Sequence, residues 1–417
     1  MAAEGAVSQD APFAVVALTE CVINGQRRYA RERFNIRRGQ REALVGHGLL
    51  ESDESFAAMW RRHAGRILTP DGVTSYARVG EPGERPLRVL QVTHYDPGSA
   101  AYRYHSALNT QDGVLSAFVR FGRSNPHCDL RQYDGGEHTP TVMALVMSAD
   151  VIVCHMDYRC LFNDIRETPG PQQVLVRHYH GSMVPPSLGG DPARPTFVEA
   201  ELDAKLGAVQ VGARPYHHRW NVPHWWGIPM PTADYARLAE ARAPRAGRPL
   251  RVAHSPTVRA IKGTAEFLDA VSALQAEGVA IEPVLIEGMS HGDALRLKAT
   301  CDVTFDSLWL GMQGSGLEMA AMGGVCVAGD VDAVRDLVRY GEAEVAADGT
   351  VVRCPWTFAG DGAALKAVLR RLAEEPAWAA QEAARVAGYV ARWHSYEVVG
   401  ARMLATLTEA RAQRGMQ

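Results

Sequence analysis

Two basic residues, Arg259 and Lys262, stand in the run His254-Ser-Pro-Thr-Val-Arg-Ala-Ile-Lys-Gly-Thr264, after a short β-branched segment and at the start of helical text. Free N–H groups and the positive end of the macrodipole already favour an anion at a helix start. Two cations there need a negative partner, and a bound phosphate supplies one. Lys262 is one of 4 lysines among 44 basic residues, so a compact point charge stands out against an arginine background. Read without a ligand, the same pair is two solvated side chains.

Fifty residues on, Gly311-Met-Gln-Gly-Ser-Gly-Leu-Glu-Met-Ala-Ala-Met-Gly-Gly324 places three glycines before a helix. Gly314, Ser315 and Gly316 let backbone amides approach a diphosphate closely. Glu318, one turn inside, offers a carboxylate to ribose hydroxyls; alone it is equally a plain acidic residue near a helix N-terminus. The order G-x-x-G-x-G is not the dinucleotide fingerprint and does not open the first βαβ unit.

The elements that must position these residues follow from periodicity. Arg88–Thr93 reads as a strand and Ala100–Asn109 as a helix, and further short strands are expected at 117–121, Val151–His155 and Val174–His178. The grammar restarts at Leu250–His254, with helices expected over 264–275, 292–298 and 317–322 and strands over 283–286, 303–305 and 325–328. Such alternation predicts an α/β chain of two doubly wound, Rossmann-like parallel sheets with a cleft between the carboxyl ends of their strands. Asn24-Gly25 between β-rich runs predicts a small hairpin followed by a short helix. The expected division is 1–86 for an N-terminal extension, 87–230 and 231–392 for the two sheet domains, and 393–417 for a C-terminal helix.

The chain has 417 residues, 47% apolar and 22% charged, with a formal charge of -3, which excludes a disordered or fibrous protein. No apolar run reaches the roughly 18–20 residues a spanning helix needs. Met1–Pro12 carries two acids and no base, so no secretory n-region is read and a cytoplasmic location is expected. Seven cysteines without a C-x-x-C pair are expected to be packed free thiols. The segment Arg27–Arg41 holds seven arginines against Glu32, a solvated basic face or a contact for nucleic acid or an acidic partner.

Arg-x-x-Lys-Gly-Thr, followed by a Gly-rich loop with Leu-Glu-x-x-Ala-Met-Gly and an apolar strand, resembles the donor half of a family-4 retaining glycosyltransferase of the GT-B fold. The likeness runs from about Arg88 to the C-terminus. It implies that Arg259 and Lys262 hold the diphosphate of a nucleoside diphosphate sugar such as a UDP-sugar, that Gly314, Ser315 and Gly316 flank phosphate and sugar, and that Glu318 binds the ribose. It also implies that the loop at Gly98 and Ser99 faces the phosphate, that Arg103 reaches into the cleft, and that His180, after Arg177-His-Tyr, is the cleft histidine near the transferred sugar. His155 is a further cleft candidate; a buried structural histidine is the alternative for both. The family often carries a second glutamate where this chain has Leu310, a departure that bears on the sugar contacts.

The resemblance implies sugar transfer with retention, with the nucleotide sugar as co-substrate and no metal or other cofactor. Asp330-Val-Asp332 imitates a metal-binding D-x-D but is expected to be a turn. The cluster Tyr216–Trp226 is expected to be an aromatic region between domains. The N-terminal stretch resembles a small module of tailed-phage proteins, which makes a modified base in phage DNA or a virion protein attractive as acceptor, with a small molecule or glycan as the alternative. The alternative is a noncatalytic glycosyltransferase-like binding module of a virion or scaffold, which Leu310 favours and Arg259, Lys262 and Glu318 oppose.

Overall fold

The computed structural model describes residues 86–93, 100–120, 146, 149–156, 173–180, 200–214, 222–240 and 242–415, together with the backbone of seven short strands before residue 77. Gly98 and Ser99, the side chains of Arg27–Arg41 and the helix expected after the first hairpin lie outside the described residues. The early strands are β1 Phe13–Ala17, β2 Cys21–Ile23, β3 Gln26–Arg28, β4 Arg33–Ile36, β5 Leu50–Glu51, β6 Arg66–Leu68 and β7 Thr74–Tyr76. β1 pairs antiparallel with β4 and β5, and β6 with β7. β2 and β3 pair antiparallel with Ile23 opposite Gln26, as the hairpin expectation requires, while Asn24 and Gly25 lie outside the described residues.

The first large sheet is built from β8 Leu87–Thr93, β9 Val114–Arg120, β10 Val151–His155, β11 Val174–Tyr179, β12 Val209–Gly212 and β13 His224–Trp225. All its pairings are parallel, in the order β13-β12-β11-β10-β8-β9. Helix α1 Ala100–Leu108 follows β8, α2 Ala200–Leu206 follows β11, and α3 Thr232–Ala239 follows β13. β9, β10 and β11 are buried at every position, because both faces of a parallel sheet are covered. That requirement explains their near-continuous apolar text.

The second sheet takes β14 Leu250–His254, β15 Ile281–Leu285, β16 Val303–Ser307, β17 Val325–Ala328 and, after a two-stranded hairpin of β18 Glu344–Val345 and β19 Val351–Arg353, β20 Thr357–Phe358. Its order is β15-β14-β16-β17-β20, again all parallel. Helices α4 Arg259–Lys262, α5 Thr264–Ala276, α6 His291–Ala299, α7 Gly314–Ala321 and α8 Val331–Val338 alternate with these strands, and α9 Gly362–Glu374, α10 Pro376–His394 and α11 Tyr396–Gln413 close the chain. Pro283 falls inside β15, where an edge strand tolerates the missing N–H. Helix α7 begins at Gly314, three residues before the expected Leu317, because its first turn is pinned from outside by a strand carboxylate described below. Asp330 caps α8 by accepting from Asp332 N at 3.0 Å, so the D-x-D sequence serves a helix start.

The chain crosses back to the first sheet between α10 and α11. Ser395 caps α11 through Val398 N, and Met230 N donates to His394 O at 2.6 Å. α11 then packs on α1, where Gly400 lets the helices touch: a Cβ there would lie 2.2 Å from Ala107 O. Trp225 stacks on Trp393 at 5.2 Å, and Trp226 Nε1 donates to Thr406 Oγ1 at 3.1 Å. The aromatic text around residue 225 thus fastens the segment that joins the two sheets onto the last two helices. Cys154, Cys301, Cys326 and Cys354 are buried free thiols. Among the described residues no helix is long and apolar enough to cross a membrane.

Candidate active-site cleft

In each sheet the strand order reverses beside the first strand: β8 lies between β9 and β10, and β14 between β15 and β16. Open α/β sheets bind ligands at the carboxyl ends of such strands. Arg103 on α1 follows β8, Lys262 on α4 follows β14, and the loop into α7 follows β16. Residues far apart in the chain meet because β14 and β16 are hydrogen-bonded neighbours.

Lys262 is 8% exposed, and its Nζ donates to Asp306 Oδ1 at 2.8 Å. Asp306 Oδ2 accepts from Gln313 N at 2.6 Å and Gly316 N at 2.8 Å, tying the first turn of α7 to the end of β16. Burial pushes the Asp306 carboxyl up, but Lys262 and the two amides outweigh it and hold the group below the usual aspartate range. Only glycine fits at 316, since a Cβ would lie 2.5 Å from Cys326 Sγ and 2.7 Å from Asp306 Oδ2. The amides of Gly314 and Ser315 have no partner among the described residues, and they point out of the helix N-terminus as an anion site requires.

Glu318, 6% exposed, is held by three groups. Lys298 Nζ reaches its Oε2 at 2.5 Å, while His291 Nε2 at 3.0 Å and Arg103 Nη1 at 3.1 Å reach Oε1. Burial raises the Glu318 carboxyl, and Lys298, then His291 and Arg103, more than reverse this, leaving it well below its ordinary value. Arg103 also donates to Tyr235 Oη at 3.4 Å, and its Nη2 would lie 3.9 Å from a Cβ at Gly314. It therefore bridges the first sheet's α1 to the mouth of α7. Lys298 Nζ donates to Ser315 Oγ at 2.9 Å as well. Arg214, beyond β12, donates to Met312 O at 3.3 Å. Three cations and two carboxylates thus surround the α7 N-terminus, with Arg214 as a fourth cation at the loop before it.

Arg103, Lys262, Gly314, Ser315, Gly316 and Glu318 come together as one cluster. Arg259 does not join it. Its side chain is 57% exposed and forks onto Glu287 at the end of β15, at 2.8 and 2.5 Å. At the first residue of α4 Arg259 takes Glu287 as its partner in solvent, while Lys262 at the last residue is buried against Asp306. Leu310 gives its carbonyl to Gln313 Nε2.

His155 and His180 belong to the first sheet, His155 as the last residue of β10 and His180 directly after β11. His155 Nδ1 is 2.7 Å from His180 Nε2, and His155 Nε2 is 2.8 Å from Gln91 Oε1. Burial, then Arg214 and Arg103, push the His180 imidazolium down to about 3, and burial also keeps His155 neutral. Lys298 and Asp306, which help build the α7 cluster, are not among the residues that the sequence points to. Lys298 had the same signal as Lys262, a rare lysine, but lay inside helical text. Asp306 is a lone charge at the end of an apolar strand beside the Gly-rich loop, a position that sequence reading could have flagged.

No protein-family description and no curated protein matches the sequence. Solved structures do resemble the fold. The catalytic domain of starch synthase IV from Arabidopsis thaliana, bound to ADP and acarbose, matches with a TM-score of 0.50 and 10% identity over 78% of this chain and 100% of that one. Sucrose-phosphate synthase from Thermosynechococcus elongatus matches at 0.49 and 12%, over 78% and 100%. HepE from Anabaena in complex with UDP matches at 0.49 and 13%, over 77% and 100%. At 10% identity the starch synthase match speaks of architecture alone, and with the two parallel, doubly wound sheets the fold is GT-B.

Proposed function

We propose that this chain is a retaining glycosyltransferase that takes its sugar from a nucleoside diphosphate sugar. The observation that carries the reading is the α7 N-terminus, where the free Gly314 and Ser315 amides open among Lys262, Lys298 and Arg103. A diphosphate there meets oriented donors in a water-poor cleft, where they stabilise charge developing on a leaving group. Glu318, fixed by its three partners, presents a carboxylate to the ribose. Arg259 acts from the rim, exchanging Glu287 for a phosphate.

The proton economy favours retention. Asp306 and Glu318, the two carboxylates of the α7 cluster, are engaged by cations, and His180, lowered to about 3, is a weak base. The acceptor's proton then passes to the departing phosphate oxygen. The anomeric carbon–oxygen bond to the diphosphate breaks as the acceptor oxygen bonds on the same face. His180, neutral, hydrogen-bonds the sugar. The basic run Arg27–Arg41 favours an anionic acceptor surface, nucleic acid or an acidic protein. No step requires a metal.

A binding module without activity is the second reading, favoured by Asp306, which already occupies the Gln313 and Gly316 amides. Incubation with a panel of nucleotide sugars separates the two. The expected result is time-dependent release of nucleoside diphosphate from one donor, slow with water and faster with acceptor. Saturable binding of a donor with no release would establish the module instead.

A further inference from the structure

On β11, His178 and the residue after the strand, His180, are two positions apart, so strand alternation turns them to one face, while Arg177 and Tyr179 turn to the other and meet Asp203. The parallel register then sets His155 of β10 directly beside His178. Three imidazoles converge as a result. His155 Nδ1 is 2.7 Å from His180 Nε2 and 3.1 Å from His178 Nδ1, and one ring nitrogen from each lies within 4.8 Å of the others. Tetrahedral zinc with bonds of about 2.0–2.1 Å to imidazole needs its nitrogens about 3.3 Å apart, a spacing within a small rotation of His180, the least buried of the three.

A second layer prepares the His155 nitrogen. Gln91 Nε2 donates to Ser116 Oγ at 3.2 Å, which turns Gln91 Oε1 to His155 Nε2 at 2.8 Å. The amide oxygen accepts, so His155 carries its proton on Nε2 and directs the Nδ1 lone pair to the centre of the cluster. Metal-bound histidines are oriented by this kind of outer partner. Tyr104 packs edge-on to His178 at 4.3 Å and closes one side.

We propose that His155, His178 and His180 form a binding site for a borderline divalent transition ion, zinc or cobalt in class, with a fourth position open to the cleft on the His180 side. Three neutral nitrogens and no carboxylate select against magnesium and calcium, which want oxygen ligands. The open position takes water or a hydroxyl oxygen. Arg103 and Arg214 act on His180 unfavourably for a cation, an effect eased for Arg103 by its pair with Glu318 at 3.1 Å. The proposal does not depend on the glycosyltransferase reading, since its readout is the ion itself.

The test is titration of the chelator-treated full chain with Co²⁺, followed by its visible d–d absorption, and competition by Zn²⁺. One Co²⁺ per chain with a tetrahedral-type spectrum is expected, abolished in His180→Ala and His155→Ala and retained in His224→Ala. Gln91→Ala should weaken affinity about 10–100-fold without removing a ligand, which keeps the test decisive if a histidine variant misfolds. No stoichiometric binding, binding unchanged in the histidine variants, or a thiolate charge-transfer band from the buried cysteines would overturn the proposal.

Discussion

Lys262→Ala is expected to lower the unfolding free energy by about 3–5 kcal/mol, the usual cost of leaving one member of a buried ion pair unpaired. The lysine meets a fully buried carboxylate at 2.8 Å, and that carboxylate in turn pins Gln313 and Gly316. Lys262 is therefore not the solvated side chain that the sequence allows without a ligand, but one half of a buried pair. Activity should also fall, by about 10²–10³ in turnover, if its charge supports the leaving diphosphate. Adding Asp306→Asn to Lys262→Ala separates the two effects. An asparagine oxygen still accepts from the loop amides but buries no charge, so urea unfolding of the double variant should recover much of the stability while turnover stays low. A single Lys262→Ala variant as stable as the parent would contradict the buried pair.

Stability should fall steeply as pH drops from about 7 to 5. In the folded chain His105, His180 and His394 are pushed down to about 3 and His254 to about 4, burial being the first cause each time. An unfolded histidine titrates near 6.5, so below that pH the unfolded chain binds protons which the native chain refuses, and the loss continues down to the folded values. Each group contributes up to about 1.4 kcal/mol per pH unit across that window. Asp306 and Glu318 behave otherwise. Their folded values are lowered, so their contribution is present above about 4 and is lost only as pH falls through the folded values. Denaturant unfolding at pH 7, 6 and 5 should show a drop of at least about 2 kcal/mol with net proton uptake on unfolding; a flat profile would contradict the buried neutral histidines.

The alternation of apolar strands with helical text made the two sheets legible, and β10, β14 and β17 span the residues expected from sequence. Legible too was the pairing of a lysine after β14 with a Gly-rich turn after β16, because a switch point brings those strand ends together. What periodicity could not show was which carboxylate each cation of α4 would meet. Arg259 and Lys262 look alike in sequence, yet only Lys262 faces inward, toward a carboxylate whose importance depends on packing. The Arg103–Glu318 bridge was equally hidden, since it joins residues 215 positions apart through contact between the domains. Neither did the sequence reading bring His178 into play: the three histidines converge only once β10 and β11 are placed in register.

Crystals of the chain grown with a nucleoside diphosphate test the central claim most directly. Phosphate oxygens are expected within about 3 Å of the Gly314 and Ser315 amides, with the Lys262 and Lys298 ammonium groups and the Arg103 guanidinium turned to the same group. A nucleotide bound with its diphosphate directed away from the α7 N-terminus, or seated outside the cleft, would contradict it.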